Sequence, residues 1–229
     1  MPSAFDALVE LLDLERIEQN LFRGRQPNEK RQRVFGGHVA GQALIAAGRT
    51  VEDRSVHSLH AYFLRPGDPQ VPIIYQVERT RDGRSFATRR VTAIQHGRPI
   101  ESRHVELMDY FGGRQEPRSN IWIRAKGRLP DEPLLHRCVV AYASDMTLID
   151  TAARPHPIEL LSDETENASL DHAMWFHRPF RADEWLLYSQ ESPTMSGSRG
   201  LTTGHFFRRD GTLVASVVQE GLFRIRRRD

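Results

Sequence analysis

Cysteine is almost missing from these 229 residues: Cys138 stands alone. A single cysteine cannot close an internal disulfide, so no disulfide framework holds this chain. A reducing compartment, cytoplasmic, is the expected setting. Val139 and Val140 beside it mark Cys138 as a buried structural thiol rather than a nucleophile. Long apolar runs are missing as well. No stretch nears the roughly 20 residues needed to span a membrane. The opening Met1-Pro2-Ser3-Ala4-Phe5-Asp6 lacks the basic-then-apolar order of a secretory signal. No membrane partner is expected. Charge of one sign is also scarce: 32 Lys and Arg stand against 30 Asp and Glu, a net +2. That permits a phosphate-bearing ligand and gives no reason to expect nucleic acid. The basic tail Arg224-Ile225-Arg226-Arg227-Arg228 reads as a solvated terminal charge run.

Several site motifs are absent in the same way. Gly36-Gly37 is not followed by the Gly-Lys-Ser/Thr of a phosphate-binding loop, although amides at a helix start there can still polarise an oxygen. Ser169 lacks the flanking glycines of a nucleophile elbow, which rules out a covalent serine mechanism of that kind. His57 and His60, or His172 and His177, are close in sequence. Neither pair has the helical spacing or the third ligand of a zinc site. No metal and no cofactor is expected, and His57 and His172 read as satisfied structural histidines.

What is present is a repeat. Ser169-Leu170-Asp171-His172-Ala173-Met174-Trp175-Phe176-His177-Arg178-Pro179 is echoed by Ser58-Leu59-His60-Ala61-Tyr62-Phe63-Leu64-Arg65-Pro66. Both read as aromatic-rich strands stopped by proline. Arg178-Pro179 lies 113 residues after Arg65-Pro66, and the same offset separates Tyr75 from Tyr188 and Ser85 from Ser198. One offset held this long implies a tandem duplication, too long in period for a solenoid.

Each copy has the same order of elements. In the first, a helical stripe over 5–14 precedes a strand over 15–22. The run from Val39 to Gly48 reads as a helix buried nearly all round. Strands follow over 57–64, 73–79 and 86–95. In the second, a strand over 120–126 precedes an apolar helix over 134–151 and strands over 173–178, 185–191, 200–208 and 212–219. One apolar helix with successive antiparallel strands implies an α+β fold, each sheet wrapped around its own helix. The copies part after Gly211. The second continues into the strand Leu213-Val214-Ala215-Ser216-Val217-Val218-Gln219, whereas the first jumps from Ile100 to Glu101-Ser102-Arg103-His104. A sheet short of one strand exposes backbone and apolar groups. The expectation is that further residues belong between Ile100 and Glu101, with a true deletion as the alternative. An intact mass near 26.3 kDa would favour the deletion.

Three polar residues stand out. Asp145, in Ala143-Ser144-Asp145-Met146, is a lone carboxylate on an apolar helix, costly there unless hydrogen-bonded. Gln219 ends an apolar strand. Because Val217 and Val218 are both apolar, alternation leaves its direction open. Ser169, taken alone, reads as a turn or cap residue.

The chain resembles the acyl-CoA thioesterase II family, whose members carry two fused hotdog domains. The matching runs include Leu21-Phe22-Arg23-Gly24, Val34-Phe35-Gly36-Gly37-His38-Val39-Ala40-Gly41-Gln42, Tyr62-Phe63-Leu64-Arg65-Pro66-Gly67, Tyr142-Ala143-Ser144-Asp145, Leu170-Asp171-His172-Ala173-Met174-Trp175 and Ser216-Val217-Val218-Gln219-Glu220-Gly221. The resemblance implies a tandem (double) hotdog, residues 1–100 forming the first domain without its last strand and 101–229 the second, catalytic one. It also implies a catalytic trio of Asp145, Ser169 and Gln219, with serine where members often carry threonine. The implied reaction is hydrolysis of fatty acyl-CoA by water, without cofactor, in a homo-oligomer (dimer or tetramer) of lipid metabolism. Two rivals are weighed: an enoyl-CoA hydratase, disfavoured because no histidine lies near Asp145 in sequence, and a non-catalytic acyl-CoA-binding or regulatory protein.

Overall fold

The computed structural model describes residues 4–26, 33–96, 98–99, 116–156 and 165–225. The first half contributes α1 (Ala4–Leu12), β1 (Glu15–Glu18), β2 (Leu21–Arg23), α2 (Gly36–Gly48), β3 (Ser58–Tyr62), β4 (Ile74–Asp82), β5 (Ala87–Gln95) and β6 (Arg98–Pro99). The second contributes β7 (Arg118–Ile123), α3 (Pro133–Ser144), α4 (Leu148–Ala153), β8 (Thr165–Ser169), β9 (Asp171–Phe176), β10 (Leu186–Ser196), β11 (Arg199–Arg208) and β12 (Leu213–Ile225). The fold is the expected α+β double hotdog, built from antiparallel sheets in the order β1-β2-β4-β5-β6 and β3-β9-β12-β11-β10-β7.

The repeat has a geometric meaning. β3 does not join the sheet of its own half; it pairs antiparallel with β9, its copy in the other half. Ser58 faces Trp175, His60 faces Ala173 and Tyr62 faces Asp171. At the offset of 113, His60 and Ala173 are each other's repeat equivalents, and the flanking pairs exchange equivalents (Ser58 with Asp171, Tyr62 with Trp175), so a pseudo-twofold axis passes at His60 and Ala173. The duplicated strand meets itself as an isologous contact does between subunits. A single core runs through both halves as a result. Leu12, Phe22, Ile45 and Tyr75 of the first belong to the same apolar cluster as Cys138, Leu148, Met174 and Phe206 of the second.

Two expectations are corrected. The strand read over 15–22 is a pair, β1 and β2, in antiparallel register. The helix read over 134–151 is broken into α3 and α4. Ser144 turns its hydroxyl back toward the Ala141 carbonyl at 2.9 Å, and Asp145 follows as the C-terminal cap of α3. A serine that competes for helix carbonyls favours such an end. β6 spans 2 residues where its repeat partner β12 spans 13. The junction at Ile100 and Glu101 lies outside the described residues.

Candidate active site

Helix α2 is apolar and small-sided, with Gly37 and Gly41 one turn apart. A Cβ on Gly37 would sit 2.2 Å from the Tyr142 carbonyl oxygen, and one on Gly41 would sit 3.3 Å from that of Cys138. Position 37 meets 142 while 41 meets 138, so α2 and α3 run antiparallel at backbone contact. Only glycine allows that approach at Gly37. The packing brings the N-terminus of α2, from the first half, against the C-terminal end of α3, from the second.

Asp145 sits at this junction, 1% exposed. Its Oδ2 accepts the backbone N–H of Gly37 at 2.8 Å. Its Oδ1 accepts both the Ser169 hydroxyl at 3.0 Å and the Gln219 side-chain N–H at 2.6 Å. A carboxylate is acceptor-only, and here every contact comes from a donor. The positive end of a helix dipole is also where a carboxylate is favoured. The expectation that the Gly36-Gly37 amides would polarise a substrate oxygen is corrected in part, since the Gly37 N–H is engaged by Asp145.

The strands explain how Ser169 reaches Asp145. Ser169 pairs with Gly221 and Ala173 with Val218 on β12. Four steps on one strand thus match three on the other, which is a β-bulge at Leu170 and Asp171. Without the extra residue Ser169 and His172, an odd number apart, would point to opposite faces. With it, both are buried, at 1% and 0% exposure. Asp171 fixes the bulge by accepting the Glu220 N–H at 2.8 Å. Gln219 points inward with Val217 and Ala215, which settles the direction that two adjacent valines left open.

Sequence reasoning missed the groups behind the trio. His172 was read as a satisfied structural histidine, and it is satisfied: Nδ1 lies 3.1 Å from Gln219 Oε1 and Nε2 lies 2.8 Å from Ser144 Oγ. Burial pushes its imidazole pKa down. Tyr188 donates its hydroxyl to the Ser144 carbonyl at 2.8 Å, tying β10 to the end of α3. Thr202 faces Gln219 across the β11–β12 ladder and is fully buried, and its hydroxyl has no hydrogen-bond partner among the described residues. The pairing Asp-His, adjacent in sequence, gave a signal: one member holds the backbone beside Gln219, the other its side chain.

The remaining candidates lie elsewhere. His57 packs edge-on against Phe86, His60 against Trp175, and His177 bonds Ser216 at 2.9 Å. Among the described residues no cluster of three or more His, Cys, Asp or Glu could hold a metal. Cys138 is buried and free, and burial pushes its thiol pKa well up. Among the described residues no helix is long and apolar enough to cross a membrane.

Two fused hotdog units, with a hydrogen-bonded carboxylate where their helices meet, define the class as a double-hotdog protein. Family models described as "Acyl-CoA thioesterase" and "Acyl-CoA thioesterase N-terminal domain" match residues 92–222 and 25–110. The chain is 36% identical over 283 positions to human "Acyl-coenzyme A thioesterase 8", covering 94% of this chain and 88% of that protein. It is 35% identical to "Acyl-CoA thioesterase 2" of Haemophilus influenzae, covering 98% and 99%. The crystal structure of an acyl-CoA thioesterase II, TesB2, from Mycobacterium marinum superposes with a TM-score of 0.81 at 44% identity, covering 96% of this chain and 97% of that one. The chain belongs to the acyl-CoA thioesterase II family. The human alignment is longer than this chain, 283 positions against 229 residues, so 283 − 229 leaves at least 54 positions without a residue here.

Proposed function

We propose that this chain hydrolyses fatty acyl-CoA to a free fatty acid and coenzyme A, using a water activated by Asp145 and oriented by Ser169 and Gln219. The observation that carries the reading is that the Ser169 hydroxyl and the Gln219 amide meet on one oxygen of Asp145. A thioester needs no strong nucleophile. A water beside Oδ1 gives its proton to Asp145 as its oxygen attacks the carbonyl carbon. The tetrahedral intermediate then expels the coenzyme A sulfur, which takes the proton held by Asp145 and leaves as the thiol, restoring the carboxylate. General-base help of this kind contributes about 10²–10⁴-fold. Orientation of the water lowers the entropic part of the barrier.

The same reading divides the chain into hotdog units at residues 1–100 and 101–229, with a cytoplasmic setting and assembly as a homo-oligomer. The hydratase alternative is weakened by geometry, because Gln219 stands between His172 and Asp145. The test is incubation with palmitoyl-CoA and a thiol reagent. Wild type should release thiol, and Asp145→Asn should keep its melting temperature while losing about 10²-fold or more of turnover. Palmitoyl-CoA binding without thiol release would support the non-catalytic reading. Near-normal turnover by Asp145→Asn would remove Asp145 from the mechanism. Rates across an acyl chain-length series then define the substrate, and light scattering distinguishes monomer, dimer and tetramer.

A further inference from the structure

We propose that His172 is a positioning residue whose Nδ1–H holds the Gln219 side chain in the one orientation that donates to Asp145. The proposal rests on the hydrolase reading for its consequence and on geometry for its substance.

Asp145 Oδ1 can only accept, so the Gln219 atom 2.6 Å away must be the amide nitrogen. The other end of that amide, Oε1, is an acceptor and lies 3.1 Å from His172 Nδ1. That ring nitrogen must therefore carry the proton. Burial disfavours the imidazolium, so the ring is neutral and Nε2 is an acceptor. Ser144 Oγ lies 2.8 Å from Nε2 and 2.9 Å from the Ala141 carbonyl oxygen, so its one proton is shared between two acceptors. The result is a directed chain: His172 N–H to Gln219, Gln219 N–H to Asp145. Each bond fixes the sense of the next.

The chain matters because a glutamine amide is nearly symmetric in shape and opposite in polarity at its two ends. Rotated by half a turn, Gln219 would present Oε1 to the carboxylate oxygen, acceptor against acceptor. Its N–H group would face the ring. The Nδ1–H tautomer of His172 penalises that rotamer. His172 acts at one remove and touches no reacting atom. It is held for the task by the bulge that turns it inward and by Tyr188, which ties down the backbone of Ser144.

Two amide substitutions separate this role from a merely structural one. Asparagine places an N–H near the position of ring Nδ1, so His172→Asn restores the donor to Gln219 and loses the contact with Ser144. Glutamine places its terminal group near ring Nε2, so His172→Gln does the reverse. Each removes one of two buried hydrogen bonds, so the two should lose similar melting temperature. Turnover should split them. His172→Asn is expected within about threefold of wild-type kcat, and His172→Gln about tenfold or more below it, with KM unchanged in both. Equal kcat in the two variants, whether high or low, overturns the proposal.

A measurement on the wild type stands apart from activity and from the folding of any variant. Long-range ¹⁵N–¹H spectra of the imidazole should show a neutral His172 protonated at Nδ1. Protonation at Nε2 alone overturns the proposal. If the wild type releases no thiol from any acyl-CoA, the hydrolase reading fails while the tautomer result still decides the geometry.

Discussion

Gly37 and Asp145 lie 108 residues apart in the chain, and one hydrogen bond of 2.8 Å joins them, backbone N–H to carboxylate. They come from different copies of the duplicated unit. The carboxylate of the second copy is therefore completed by the helix start of the first. The contact spans both copies, although Asp145, Ser169 and Gln219 all belong to the second.

Gly37→Ala tests the closeness of the two helices. The new Cβ would stand 2.2 Å from the Tyr142 carbonyl oxygen, a backbone atom that cannot swing away. Overpacking of this kind costs about 1–3 kcal/mol, sometimes more. Thermal denaturation should register that loss, and turnover should fall with it, because separating α2 from α3 withdraws a donor from Asp145. Unchanged melting and turnover would contradict the close contact.

Ser169 should be replaceable by a residue that keeps its hydroxyl. Ser169→Thr is expected to retain most activity. Ser169→Ala removes one of the two donors to Asp145 Oδ1, where a hydrogen bond to a charged group contributes about 1.5–3 kcal/mol. A fall of about 10–100-fold in kcat/KM is the expected size. Equal rates for the alanine and threonine variants would show that the hydroxyl plays no part.

Thr202 provides a contrast in sign. Its hydroxyl is buried and has no partner among the described residues. Removing an unsatisfied polar group does not incur the usual loss, so Thr202→Val should leave stability unchanged or raise it by up to about 1 kcal/mol. Chemical denaturation measures this directly. A clear destabilisation would mean that the hydroxyl is bonded in solution.

Stability should also depend on pH in a defined sense. Burial pushes His172 below the ordinary histidine value of 6.5, and burial followed by the Arg181 charge pushes His136 below it. In the window between those lowered values and about 6.5 the unfolded chain binds more protons than the folded one. Stability is therefore fully present above that window and is lost as pH falls through it. Melting curves from about pH 7 to pH 5 should show the decline, and His172→Asn should flatten it. A wild-type melting temperature that is constant over this range would show that neither ring is kept neutral by the fold.

Much of the site was legible before any coordinates. Asp145 was conspicuous as a charge among apolar helical neighbours, and the family's pattern placed Ser169 and Gln219 beside it. The break after Asp145 was not legible, because residues 134–151 keep apolar residues at helical spacing on both sides of it and carry no proline or glycine to stop a helix. What stops it is Ser144, whose hydroxyl turns back toward Ala141 while its own carbonyl is tied to Tyr188, and Tyr188 is 44 residues away. The bulge was hidden for a similar reason. Leu170 and Asp171 look ordinary as residues, and only the count of partners on β12 reveals the extra one.

The amino-acid order alone determined the duplication, the α+β composition, and the identity of the polar residues proposed to act on a water. These follow from periodicity, offset and chemical identity, all local properties of the chain. Folding in three dimensions decided that β3 pairs with its own repeat rather than within its half, that Ser169 and His172 share a face, and that Gly37 completes Asp145. Those outcomes depend on register and on contact between distant segments. A hydrogen bond across 108 residues exists only once two helices have packed close enough for a backbone N–H to reach a carboxylate.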